Sequence, residues 1–230
     1  MTNRRFAFRL FSYLIHYKDV RKHRYAVATH TWTDLRIPEA ARLADLSGIS
    51  WDLRSARQFA EMLTTEFATE KPNWQIVEPL SIAIAVMYSR PFMEGARLWL
   101  GNKDLAILTP EQRAAHDHLR FYRDKHVAHS VNSFEENIPR AQYCVERVKE
   151  EGITAIGHGG GRVTGLSGAE LSAVIELTTV LQTYVDGEIA KEQQRLLEIV
   201  RKMPLEDVLA GGQKAFVVDS KTRISERRKR

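Results

Sequence analysis

Thr109-Pro-Glu-Gln-Arg-Ala-Ala-His-Asp-His-Leu-Arg-Phe-Tyr-Arg-Asp-Lys-His-Val-Ala-His-Ser130 carries the signals that decide the fold. Thr109 is a good N-cap, and Pro110 suits the first helical position because an N–H there would have no partner in the helix. Gln112 is placed to reach back to the Thr109 N–H and close a capping box. The pattern predicts a helix from about Pro110 to about Ser130. Upstream, Leu53, Ala56, Phe59, Ala60, Leu63 and Phe67 recur at three- and four-residue spacing, which predicts an amphipathic helix over about 51–69, ended by Lys71-Pro72-Asn73. A second helix is predicted from Trp74 or Pro79 to about Leu100. Its first half is apolar almost all round, and Pro91 should kink rather than end it because Phe92, Met93, Ala96, Leu98 and Trp99 continue the apolar content.

Downstream of Ser130 the helical period disappears and glycines accumulate. Two short strands are expected, 141–148 and 153–156, turning at Glu151-Gly152, with Gly157-His-Gly-Gly-Gly-Arg162 as a flexible hairpin loop. That loop lacks the Gly-Lys-Ser/Thr ending of a phosphate-binding P-loop. Ser167-x-x-Glu170 is a second capping box, and the helix it opens should run to about Met203. The expected fold is mainly α: an up-and-down helical bundle with a small β-hairpin between the third and last long helices. A shorter helix opened by Pro38 precedes a break at Ser47-Gly48. Three regions follow: a basic, aromatic N-terminal extension over 1–48, a helical bundle over 49–205 and a basic tail over 206–230.

The 230 residues are 43% hydrophobic and 27% charged, a globular composition that excludes disordered and collagen-like chains. Cys144 is the single cysteine, so no intramolecular disulfide forms and a reducing cytoplasm is the expected location. The apolar stretch near residues 6–15 is interrupted by Arg9 and has no small-residue cleavage site after it, so no export is expected; no apolar run reaches membrane-span length, so no membrane is expected either. Charge is segregated. Residues 1–24 hold seven basic groups against Asp19, and residues 220–230 hold six against Glu226, which leaves the body acidic within a net charge of +5. Basic ends attract phosphate backbones or anionic surfaces; they are equally the composition of solvated tails.

The chemistry concentrates at the end of the third helix. Four of the eight histidines, at 116, 118, 126 and 129, fall within fourteen residues. At 100° per residue Arg123, His126 and His129 step round one side, with Tyr122 between the last two. The ridge is compatible with a solvated polar face, with histidines favoured at the negative end of the helix dipole. His126 and His129 also have the spacing of two metal ligands, but no third ligand stands at a clear distance, and no metal or cofactor is expected. Arg90, in Tyr88-Ser-Arg-Pro-Phe92, either faces this helix or pairs with a core carboxylate.

Arg123-Asp-Lys-His-Val-Ala-His129 resembles the R-x4-6-H signature of HEPN domains, in the form associated with abortive-infection and toxin proteins. The helical context over roughly 50–203 fits as well. The resemblance implies an α-helical bundle that acts as a metal-independent endoribonuclease, with the site built where the motifs of two subunits meet in a homodimer. It implies Arg123 and His129 as the catalytic pair and Asp124 as the residue that positions them. It also implies RNA as substrate, a toxin or defence role, and an antitoxin or nucleotidyltransferase as partner. His126, Tyr122 and Arg90 are added as candidates for substrate contact. The alternative is a non-catalytic HEPN-like module that binds a protein partner or a nucleotide, since the motif persists in relatives that only bind.

Overall fold

The computed structural model describes residues 31–95, 97–127, 135–163 and 165–212. The chain divides between Trp32 and Thr33, and the unit beginning at Thr33 is described by itself. The basic stretch 1–24 and the tail 220–230 lie outside the described residues, as do Ala128, His129 and Ser130. The fold is mainly α with a small antiparallel hairpin between the third and last long helices, as expected.

Helix α1 spans Ala41–Phe67 after a 3-10 turn at Pro38–Ala40. The expected break at Ser47-Gly48 is absent, and residue 48 lies well inside the helix. The Ser47 hydroxyl is absorbed by donating to the Leu43 carbonyl at 2.8 Å. Gly48 serves a close passage, because a Cβ there would lie 3.3 Å from the Arg97 guanidinium. The turn after α1 is tied by the Asn73 N–H to Glu66 Oε1 at 2.6 Å, and Asn73 then caps α2 (Trp74–Ser89) by accepting from the Gln75 N–H.

Pro91 ends the second helix instead of kinking it. A 3-10 turn covers Arg90–Phe92, and Met93 is extended. Two carboxylates of α1, seven residues apart and both buried, explain the departure. Asp45 accepts from the Leu98 N–H at 3.1 Å, while Asp52 pairs with Arg97 and lies 3.5 Å from Arg90 Nη1. The Leu100 N–H then donates to the Pro91 carbonyl at 2.7 Å and closes the loop. A helical segment would hold the Leu98 N–H in its own ladder and could not present it to Asp45. The apolar residues after Pro91 still bury, but from a loop: Phe92 and Leu100 join the core.

Helix α3 spans Pro110–Tyr122 and opens on the expected capping box, with Gln112 N–H to Thr109 Oγ1 at 3.2 Å and Thr109 N–H to Gln112 Oε1 at 3.1 Å. It ends as an α-helix sooner than expected. A π-helical turn, Arg123–Val127, takes over. Strand β1 (Glu135–Tyr143) pairs antiparallel with β2 (Ile153–Arg162), from Glu135 opposite Arg162 to Gln142 opposite Ala155, and a four-residue helix α4 (Val148–Glu151) lies in the connection. The glycine run is thus strand rather than loop. It permits close approach of the two backbones, since a Cβ on Gly160 would lie 1.9 Å from the Glu136 carbonyl oxygen. Both faces of the sheet are largely exposed.

Helix α5 (Gly168–Val200) opens on the Ser167/Glu170 capping box and is followed by the short α6 (Leu205–Leu209). Its side chains set the bundle's directions. Arg195 donates to the Glu39 carbonyl at 2.7 Å, Arg42 to Glu188 at 3.0 Å, and Gln182 to Ser50 at 2.6 Å, so α1 and α5 run antiparallel. Gln112 to Glu176 and His118 to Glu170, both 2.7 Å, place α3 antiparallel to α5. Leu53, Ala60, Ile84, Tyr88, Leu119, Leu177 and Leu181 fill the space between the helices. At the start of the unit, the Asp34 N–H donates to the Gly212 carbonyl at 2.9 Å, so the chain enters and leaves at one place. Among the described residues no helix is long and apolar enough to cross a membrane.

Candidate functional site

The end of α3 is held from below by apolar side chains. Leu119 and Tyr122 are buried, and Val127 packs partly against the same core. The segment between them must therefore stay attached while its polar residues reach outward. A π turn meets that requirement by fitting an extra residue into the turn, and such turns recur at functional sites. It also changes the angular step per residue, so the 100° wheel does not extend past Tyr122.

Arg123 and Asp124 are the first two residues of the turn. Arg123 Nη1 donates to Asp124 Oδ1 at 2.8 Å, with the arginine side chain 27% exposed and the aspartate 48%. The guanidinium is thus oriented by its neighbour and open on one side. A charge-assisted bond of this kind fixes a planar donor set whose remaining N–H groups suit a phosphate. His126 is half-buried, its ring 4.9 Å from that of Tyr122. His129 lies outside the described residues, so its place relative to Arg123 is not described.

Two of the added candidates are placed differently. Tyr122 is 1% exposed and belongs to the core, so it supports the turn rather than offering a surface to a substrate. Burial pushes its hydroxyl up to about 12, with Glu170 and Glu78 acting in the same direction, and it keeps its proton at neutral pH. Arg90 takes the second of its two readings, beside the core carboxylate Asp52. Glu170 is held below the ordinary carboxylate range: burial would raise it, but hydrogen bonds from Ser167 and the His118 ring outweigh that.

A second cluster lies further up α3, where sequence reasoning placed no function. His116 is 3% exposed, and its Nδ1 lies 2.9 Å from the buried Tyr88 hydroxyl. Phe92 meets the imidazole edge-on, with centroids 4.6 Å apart. Burial pushes His116 down to about 4, with Asp117 opposing and Arg113 and Arg120 assisting, so the ring is neutral at pH 7. A cleft of about 470 Å³ opens beside it, lined by Glu94 and Trp99 and by Arg113, His116, Asp117 and Arg120 of α3. The available signal was the spacing His116, Leu119, Tyr122: steps of three put the histidine on the stripe that carries the core.

Fold and site together define a mainly helical protein with a polar π turn at the end of its third long helix. No family model, no curated protein and no solved structure matches the chain.

Proposed function

We propose that this protein is a metal-independent endoribonuclease of HEPN type, acting as a homodimer in the cytoplasm, in a toxin or defence role restrained by an antitoxin or nucleotidyltransferase partner. The observation that carries the reading is the Arg123–Asp124 pair at the start of the π turn, half-buried, with an oriented guanidinium. Cleavage inside an RNA chain requires the ribose 2′-OH to lose a proton as it attacks phosphorus and the leaving 5′-oxygen to gain one. His129 has the chemistry for such transfers near neutrality. Arg123 holds non-bridging phosphate oxygens and stabilises the charge that builds there, while Asp124 fixes its direction.

The purified protein is expected to cut single-stranded RNA in the presence of a chelator. Arg123→Ala and His129→Ala should each slow cutting by roughly 10²–10³-fold, with circular dichroism and melting unchanged. Variants that cut as fast as the parent would remove Arg123 and His129 from the reaction. The second reading, a non-catalytic module that docks a partner, is favoured by one feature: the β1–β2 sheet leaves both faces exposed. RNA that stays intact under these conditions would select it.

A further inference from the structure

The cleft beside His116 is lined by Phe92 and Trp99, by Arg113 and Arg120, and by the carboxylates Glu94 and Asp117. Tyr88 is buried, its hydroxyl retains its proton, and His116 Nδ1 is its hydrogen-bond partner. In the tautomer in which the tyrosine donates to Nδ1, the neutral ring carries its own proton on Nε2, and that N–H is available to a ligand. Arg113, His116 and Arg120 follow at i, i+3 and i+7, one stripe along α3, all in the cleft wall. Arg120 spends one nitrogen on a long bond to the Phe92 carbonyl at 3.4 Å, and its Nε is buried with no partner. Trp99, 41% exposed, and Phe92 line the same cleft. Two carboxylates, Glu94 and Asp117, share the wall, and Arg113 is already bonded to Asn102 Oδ1 at 3.0 Å and lies 3.6 Å from Asp117 Oδ1. An aromatic ring, an imidazole and two guanidinium groups beside these carboxylates match a planar heterocycle that both donates and accepts hydrogen bonds and carries an anion at one end. The volume of about 470 Å³ is within the range for small-molecule sites, which runs from about 300 to 1,000 Å³.

We propose that this cleft is a nucleobase subsite for single-stranded RNA. One unpaired base stacks on Trp99 and accepts from His116 Nε2, and the adjoining phosphates lie along Arg113 and Arg120. Arg120 precedes by three residues the π turn that opens at Arg123, so the cleft and the turn are neighbours along the chain. The function of that turn in cleavage rests on the nuclease reading above; occupation of the cleft does not.

The test is binding of a fluorescein-labelled oligoribonucleotide of about ten nucleotides to the full chain carrying His129→Ala, in chelator, by fluorescence anisotropy. Trp99→Ala is expected to weaken binding about tenfold or more, because stacking of a base on an aromatic ring is sequence-tolerant and contributes strongly. Trp99→Phe should keep binding within about threefold of the parent, since a ring remains to stack on. Arg113→Ala should weaken binding and lower the dependence of log Kd on log salt by about one phosphate contact. The same RNA annealed to its complement should bind more weakly than the single strand. Trp99→Ala that binds like the parent, or Trp99→Phe as weak as Trp99→Ala, would overturn the proposal. Cleavage is read separately in the chain with His129 intact. Absent cleavage with Trp99-dependent binding removes the nuclease reading and leaves the subsite; cleavage with Trp99-independent binding does the reverse.

Discussion

His116 is a titratable group in a place that opposes its charge. Its folded pKa of about 4 lies below the ordinary value of 6.5, with burial as the main cause. Above pH 6.5 neither the folded nor the unfolded chain holds the proton, so the residue contributes no slope. As pH falls toward 4 the unfolded chain takes up a proton that the folded chain refuses, and stability declines. The expected loss between about pH 7.5 and about pH 5 is up to about 2 kcal/mol from this group. Urea midpoints measured at both values check it, and His116→Gln, although less stable at neutral pH, should lose most of that slope. A parent whose midpoint is flat over the interval would mean that the imidazole is hydrated in the folded state. Other single residues were readable without coordinates: Thr109 and Ser167 cap the helices they were expected to cap, because an N-cap bond involves only four consecutive residues. Arg90 was legible as one of two alternatives. Tyr122 was not, since a helical wheel places a side chain by angle and not by what lies opposite.

At the scale of elements, the departures share a cause. Pro91 ends a helix because Asp45 of α1 accepts a backbone N–H that a loop can offer and a helix cannot. Ser47-Gly48 continues a helix because Arg97 crosses there. The glycine run forms a strand because β1 lies against it. In each case a long-range partner overrides a local propensity, and no window of neighbouring residues contains that partner. The π turn is a fourth instance: Tyr122 and Val127 both bury, and five residues are more than an α-helical turn accommodates. Among the described residues the hairpin is exposed on both faces. An isolated pair of strands is marginal in water, and β1–β2 is joined to the helices chiefly by the Arg162–Glu78 ion pair at the protein surface. Replacing 135–162 by a short Gly/Ser linker is therefore expected to shift folding stability by about 1 kcal/mol or less, as measured by urea denaturation. A loss of several kcal/mol would mean that the sheet is part of the core.

For the molecule as a whole, the antiparallel pairing of α1 with α5 determines how the polypeptide can be arranged. These are the first and last long helices of the described residues, yet they share the most extensive contact between any two helices there, and α2 and α3 are packed on them. Mainly helical character, four long helices and the hairpin's position were all readable from periodicity and caps. The pairing of first with last was not, because neighbour order in space leaves no mark on hydrophobic spacing. The hydrogen bond from Asp34 to Gly212 has a consequence for chain connectivity. Entry and exit touch, so 33–212 is close to a closed ring. Joined there by a few flexible residues and opened within the Cys144–Arg147 turn, a circularly permuted chain should reach the same helical content and a melting temperature within a few degrees of the parent's.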